Sequence, residues 1–257
     1  MRCGELVING ECCSDMALSS RALQESPRER MAPLRVLKDE SHTLLIHEIY
    51  HSIQGEGTRA GRPCTFIRLT GCHLRCSYCD SEPSFHDGRQ MTIDAVTTAI
   101  TQWPTKLIQI TGGEPLLQKA VYPLMRSLSD LGYEIILETS GALSVEHVDP
   151  RVICILDIKT PSSGEAERFV EKNLTKIRPC DELKFVISNR ADYAFAVDIL
   201  ERSLWQRPSD KRPVVLFSPE ADSLSATDLA EWILEDQIDV RLQIQMHKVL
   251  WGNRSGV

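Results

Sequence analysis

The chain has 257 residues, 42% hydrophobic and 25% charged, with a formal net charge of −7, the balance of an ordinary globular protein rather than a disordered one. No uninterrupted apolar run reaches the ~18 residues of a membrane-spanning helix, and the acidic balance excludes a chain built to live on nucleic-acid phosphates. The length suits one large α/β domain or two small ones.

Residues 1 to 42 carry no sustained helical or strand periodicity and scatter Glu5, Glu11, Asp15, Glu25, Glu29, Asp39 and Glu40 among serines and arginines. That pattern fits neither a signal peptide nor a transit peptide. The expectation is a weakly ordered extension over 1–42, with Met31 as an alternative start, followed by one catalytic domain over 43–257. From Thr43 onward, apolar runs alternate with amphipathic stretches. Strands are expected at Cys64–Leu69, Leu107–Ile110, Tyr133–Glu138, Val152–Lys159, Leu183–Ser188, Val214–Phe217 and Val240–Gln245. Their apolar residues come mostly in succession, as in parallel strands covered on both faces. Helices are expected at Thr92–Trp103, Leu116–Leu131, Glu165–Lys172, Ala191–Ser203 and Ala226–Glu235, the first with Thr92 as N-cap and Asp94 in its first turn. Strand–helix repetition implies right-handed crossovers and a largely parallel sheet. About 215 residues with seven strands and few long helices favour a partial (β/α) barrel over a complete eightfold one.

Parallel α/β folds gather ligands at the carboxyl ends of their strands. There the chain places Thr70-Gly71-Cys72, Thr111-Gly112-Gly113-Glu114-Pro115, Thr139-Ser140-Gly141 and Asp157-Ile158-Lys159-Thr160-Pro161. Nine cysteines is an odd count, and Cys72, Cys76 and Cys79 crowd into eight residues. In a chain of this size such a cluster reads as metal chemistry in a reducing compartment, the cytoplasm, rather than as a disulfide framework. Three thiolates on one loop can ligate three irons of a [4Fe-4S] cubane and leave the fourth iron open. A zinc site completed by His73 or His86 is the alternative. Cys64, Cys154 and Cys180 read as small buried hydrophobes, and His247 and Lys248 as either solvated tail residues or part of the site.

The C-x3-C-x2-C loop after one strand and Gly112-Gly113-Glu114-Pro115 after the next resemble the radical S-adenosylmethionine (SAM) superfamily. Glu48 to Gly57, Phe66-Ile67-Arg68-Leu69, Asp80-Ser81, Glu138 to Gly141, Asp157 to Pro161, Asp181 to Val186 and Gln245 to Lys248 make the chain similar to the 7-carboxy-7-deazaguanine synthase family within it, from Leu45 to the C-terminus. The resemblance implies a carbon–nitrogen lyase of queuosine and other 7-deazapurine biosynthesis. It would convert 6-carboxy-5,6,7,8-tetrahydropterin to 7-carboxy-7-deazaguanine with loss of ammonia and would use SAM catalytically. It places a [4Fe-4S] cluster on Cys72, Cys76 and Cys79. It also implies substrate contacts at Ile53, Gln54, Gly55, Glu56, Arg68, Thr111 and the terminal Val257. SAM contacts would fall at Tyr78, Cys79, Asp80, Gly113, Asp157, Ile158, Lys159, Phe217, Ser218, Pro219 and Glu220. Ser81 stands where the family usually has a threonine that ligates Mg2+, and its hydroxyl offers the same hard oxygen donor. A flavodoxin- or ferredoxin-type electron donor and a homodimer are implied as partners, with no nucleic acid or membrane. An activase of a glycyl-radical enzyme would share the cysteine loop without needing Gln54 to Gly57 or Arg68, and a zinc-binding module is the remaining alternative.

Overall fold

The computed structural model describes residues 42–252, 254 and 256; the expectations for residues 1–41 and for Val257 lie outside them. Nine strands make one sheet in the order β3-β1-β2-β4-β5-β6-β7-β8-β9. They are β1 (Thr43–Ile53), β2 (Pro63–Leu69), β3 (Arg89–Thr92), β4 (Leu107–Gly112), β5 (Glu134–Thr139), β6 (Ile153–Ile158), β7 (Glu182–Ile187), β8 (Val214–Pro219) and β9 (Arg241–Leu242). From β2 to β9 every pairing is parallel, whereas β1 runs antiparallel to both β2 and β3. The first and last strands stay apart, so the sheet is an unclosed, partial barrel. Among the described residues no helix is long and apolar enough to cross a membrane.

Side-chain alternation divides the sheet into two faces. Ile67, Leu69, Ile108, Ile110, Ile135, Leu137, Cys154, Leu156, Ile158, Leu183, Phe185, Ile187, Val215 and Phe217 all join the larger buried core. Helices α1 (Ile93–Ile100), α2 (Val121–Asp130), α3 (Arg190–Ser203) and α4 (Ala226–Glu235) contribute Val96, Ile100, Leu124, Leu128, Ala196, Leu200, Leu229 and Ile233 to it. On the other face a small apolar cluster, Cys64, Phe66, Leu107, Ile136 and Ile155 with Tyr50 packed on it, gives way to polar residues towards the carboxyl edge: Arg68, Thr111, Glu138, Asp157, Lys184 and Ser218.

Several elements differ from the expectation. β1 and β3 were not anticipated, because β1 mixes His47, Glu48, His51 and Ser52 among its apolar residues. Val240–Gln245 shrinks to the two residues of β9, and α5 (Met246–Trp251) follows it. Glu165–Lys172 is no α-helix but 3-10 turns at Ala166–Arg168 and Glu171–Thr175. That segment is held by tertiary bonds: Glu165 accepts from Arg75 N at 2.7 Å, and buried Asn173 donates to Gly141 O and Leu143 O. Leu116–Leu131 starts as a 3-10 turn at Pro115–Leu117 before α2 begins. The Thr92 cap stands as expected, its side chain accepting from Ala95 N at 3.1 Å. Cys64 and Cys154 are buried, but Cys180 is exposed.

Candidate active site

The cysteine loop leaves β2 and is braced mainly by groups other than its sulfurs. Arg75 donates to Cys72 O and Leu74 O at 2.8 and 2.7 Å and lies 4.5 Å over the Phe85 ring. Ser77 donates from its backbone to Ser163 O and from its hydroxyl to Ser162 O. Cys72, Cys76 and Cys79 are all free thiols; Cys72 Sγ accepts from Leu74 N at 3.4 Å and Cys79 from the backbone of Ser81. Burial pushes the Cys76 thiol up to about 12 and that of Cys79 to about 11. A metal must therefore displace the protons, as it does at thiolate sites. Among the described residues no three His, Cys, Asp or Glu side chains converge as for a single ion. A cubane takes each thiolate on a different iron, which suits three free thiols on one braced loop.

The turn after β4 packs directly on this loop. Gly112 has φ +132°, and a side chain there would run into the Leu69 backbone; one at Gly113 would meet Gly71 O and Cys72 Cβ. The glycines are thus required first by the chain's own close approach, with Gly113 N donating to Leu69 O and Glu114 N to Gly71 O. Glu114 is fully buried. It accepts from Leu116 N, Thr139 Oγ1, Ser140 N and Ser140 Oγ at 2.5–3.0 Å, locking this turn to the one after β5.

Both turns border a cavity of about 550 Å³. Its wall includes Ile53, Gln54, Gly55, Glu56, Arg68, Thr111, Gly113, Cys76, Tyr78, Cys79, Asp80, Ser81, Asp157, Lys159, Ser218, Pro219 and Glu220. The expected residues are thereby brought together, with three exceptions besides Val257. Ile158 and Phe217 point to the opposite face: both are fully buried in the larger core, and the Phe217 ring packs edge-on against Phe185 and Tyr193. Cys72 is buried behind the wall.

Arg68 is aimed by three partners. Nε donates to Glu48 Oε1 at 2.7 Å, Nη2 to the Tyr50 hydroxyl at 2.9 Å, and Nη1 to Ser81 Oγ at 3.3 Å. The register shift between Ile46 and Glu48 in β1 is what sets Glu48 opposite Arg68, the local re-aiming that a β-bulge provides. Ser81 in turn donates to Asp80 Oδ1 at 3.0 Å, leaving its oxygen one lone pair beside a carboxylate, a donor set that fits a hard cation. Burial raises and the ammonium of Lys184 lowers the Asp80 carboxyl, which ends below its usual range. Lys159 pairs with Asp157 Oδ2 at 2.9 Å. Burial opposes the Lys159 charge but Asp157 outweighs it, so the ammonium is held well above its usual range. Asp157 Oδ1 is buried without a hydrogen-bond partner among the described residues.

Gln54 is buried, its amide nitrogen donating to Gln109 Oε1 and its oxygen accepting from Glu56 N. The carboxylate of Glu56 is held by Lys184, Gln243 and Gln245. Lys184, Glu138, Gln109 and His247 all line the cavity; the first three were not anticipated as site residues, whereas His247, open between the tail and the site, falls in the site. Gln109 carried a signal in the sequence, a polar residue two positions before Thr111 in an apolar strand, whereas Lys184 meets Asp157 only through strand register. His247, half-buried, closes over Gly55, where an added side chain would meet its ring and backbone.

A three-thiol loop packed against a Gly-Gly-Glu-Pro turn at the carboxyl edge of an unclosed parallel sheet is the arrangement of a radical SAM enzyme, and residues 66–151 match the Radical SAM superfamily. The chain is 44% identical over 220 residues to the 7-carboxy-7-deazaguanine synthase of Koribacter versatilis, a match covering 80% of this chain and 96% of that one. With the synthase of Synechocystis sp. it shares 42% identity, over 86% and 98% of the two chains. The crystal structure of QueE from Escherichia coli has the same fold, with a TM-score of 0.67 at 24% identity over 80% of this chain and 95% of that chain. The chain belongs to the 7-carboxy-7-deazaguanine synthase family. As a radical SAM enzyme of that family it works with a [4Fe-4S] cluster and SAM.

Proposed function

We propose that the cavity takes 6-carboxy-5,6,7,8-tetrahydropterin and releases 7-carboxy-7-deazaguanine and ammonia. The observation that carries this reading is a single cavity lined both by Cys76, Cys79 and Gly113 and by Arg68, Glu56 and Glu138. When bound at Cys72, Cys76 and Cys79, the cluster together with SAM supplies a carbon-centred radical able to take a hydrogen from C6 of the pterin.

The chain's own residues bind, orient and exclude water. Arg68, pre-aimed by Glu48 and Tyr50, offers its remaining guanidinium N–H groups to the substrate carboxylate. Ser81 Oγ, with Asp80 at its side, would hold Mg2+ next to that carboxylate. Glu56 and Glu138 accept from the N–H groups of the heterocycle, and Thr111 lines the same cavity. On the SAM side stand Tyr78, Asp80, Asp157, Lys159 and the Ser218-Pro219-Glu220 turn. The unpartnered Asp157 Oδ1 is suited to an ammonium or hydroxyl donor. Residues 43–257 form the catalytic domain. A flavodoxin- or ferredoxin-type protein supplies the electron, and the setting is the cytoplasm. Leu242, Ile244, Val249 and Leu250, exposed at and beyond the β9 edge, support a homodimer.

The test is an anaerobic assay of reconstituted protein with SAM, dithionite, Mg2+ and the tetrahydropterin, followed for deazaguanine product. Product that disappears in Cys76→Ala is expected. SAM cleavage without product would overturn the substrate and point towards another small radical SAM activity.

A further inference from the structure

Lys184 sits in the middle of β7, opposite Asp157 on β6, with its side chain 7% exposed. Its ammonium lies 2.5 Å from Glu56 Oε2, 2.9 Å from Glu138 Oε1 and 3.6 Å from Asp157 Oδ2. An ammonium has three donors, and three protein carboxylates surround this one, so Lys184 has little left to offer a ligand. The carboxylates it touches are engaged on their other sides as well. Glu138 Oε2 accepts from Gln109 Nε2 at 2.7 Å, Gln109 Oε1 accepts from Gln54 Nε2, and Gln54 Oε1 accepts from the backbone of Glu56 at 3.1 Å. The chain of bonds therefore closes: Glu56 to Lys184 to Glu138 to Gln109 to Gln54 and back to Glu56. It joins the β1–β2 turn to β4, β5 and β7. Gln243 and Gln245 brace Glu56 from outside the ring at 3.2 and 2.8 Å.

Such a ring fixes direction as well as position. Gln109 must turn its NH2 towards Glu138 because its oxygen is taken by Gln54. Each carboxylate oxygen that already accepts one donor keeps a second lone pair, and that lone pair is the one available to the cavity. Without Lys184, the carboxylates of Glu56, Glu138 and the buried Asp157 would crowd with no cation among them except Lys159 on Asp157. Burial already pushes the Glu138 carboxyl up, and Glu56 and Asp157 push it further, against the pull of Lys184.

We propose that Lys184 is a positioning residue that never touches substrate but holds Glu56 and Glu138 as a fixed pair of acceptors, selecting rings that present N–H donors along one edge. This rests on the reading that the pterin occupies the cavity. Remove the cation, and a proton must take its place on one of the carboxylates, turning an acceptor into a donor towards the same ring edge. The groups facing Glu138 are Lys184 from β7, Asp157 from β6, Gln109 from β4 and Glu56 from the β1–β2 turn. Glu56 is faced in addition by His247 from α5.

The experiment is equilibrium binding of 6-carboxypterin, followed by its own fluorescence, to the reconstituted enzyme with SAM between about pH 6.5 and 7.5, below the ionisation of the pterin's own ring N–H. This window lies above the His247 imidazole, which burial holds below its usual range. Wild-type affinity is expected to stay flat across it. Lys184→Met should bind about tenfold more weakly at neutral pH, with an affinity that now varies with pH as a proton is taken up, and Lys184→Arg should restore the flat profile. If Lys184→Met does not fold, Gln109→Leu removes a single donor from Glu138 and should introduce a smaller slope of the same sign. A flat profile in the folded Lys184→Met protein, or in Gln109→Leu when only that variant folds, would overturn the proposal. Absence of any binding by wild type would instead bring down the substrate reading, and the proposal with it.

Discussion

The two faces of this one sheet obey different rules. On the helix-covered face, residues such as Leu137, Leu156, Ile158, Phe185 and Phe217 are fully buried in apolar surroundings, and their contribution is area removed from water. Their immediate sequence neighbours Glu138, Asp157, Lys184 and Ser218 face the cavity, where almost every polar atom is committed to a hydrogen bond or ion pair. One face supplies stability without chemical identity. The other carries charge in a low-dielectric wall, where an unmatched group is costly. Alternation by a single residue separates the two, so substitutions one position apart along a strand should fail in different ways.

The largest effect belongs to the loop that feeds the cavity. Cys76→Ala should abolish both the visible absorbance of the reconstituted cluster and turnover, while the thermal midpoint of the metal-free protein stays near wild type. A variant that retained the absorbance would remove Cys76 from the ligand set. Next comes the lock between the turns after β4 and β5. Glu114→Ala strands the donors of Leu116, Thr139 and Ser140 and should cost about 3 kcal/mol, read as a fall in the denaturant midpoint with an unchanged slope. On the polar face, Arg68→Lys keeps the charge but loses the fork. We expect the KM for the pterin to rise at least ~10-fold with little change in the thermal midpoint, and an equal loss of stability would make Arg68 a structural ion pair instead.

The smallest effect lies away from both faces. Arg151 donates to Asp149 at 2.8 and 2.9 Å and holds its carboxyl down to about 2, against about 4 in an unfolded chain. A depressed carboxyl contributes stability that is complete above the unfolded value and is lost as pH falls through the folded one. The difference in midpoint between wild type and Asp149→Asn should therefore be small at neutral pH and should vanish between about pH 4 and 2. A difference that persisted at the acid end would rule out this pair as its source.

Much of this was legible in the sequence, for reasons that also explain what was not. Parallel strands buried on their outer face read as runs of Ile, Leu and Val, so β2 and β4 to β8 were found within a residue or two. The cysteine spacing and the Gly-Gly-Glu-Pro turn stood out because both sit at strand ends. The apolar runs hid the alternation within them. Asp157 and Ile158, or Phe217 and Ser218, read as continuous motifs, although only one member of each pair reaches the cavity. Lys184, Gln109 and Glu138 passed for parts of core strands because their partners come from other strands, and register is not visible in a single sequence. β1 was missed because it is an antiparallel strand whose polar residues serve the site. Glu165–Lys172 was misread as a helix because its turns are dictated by what Glu165 and Asn173 bind elsewhere.

The most direct test of the two-face account compares neighbours on β6. Turnover of the tetrahydropterin would be measured for Asp157→Asn and Ile158→Val, each well below its own unfolding midpoint. The account predicts that Asp157→Asn loses most of its activity. Ile158→Val should keep wild-type kcat and KM for SAM while losing about 1 kcal/mol of stability. Equal losses of activity in the two folded proteins would contradict it, because the chemistry would then depend on a face that this structure turns away from the cavity.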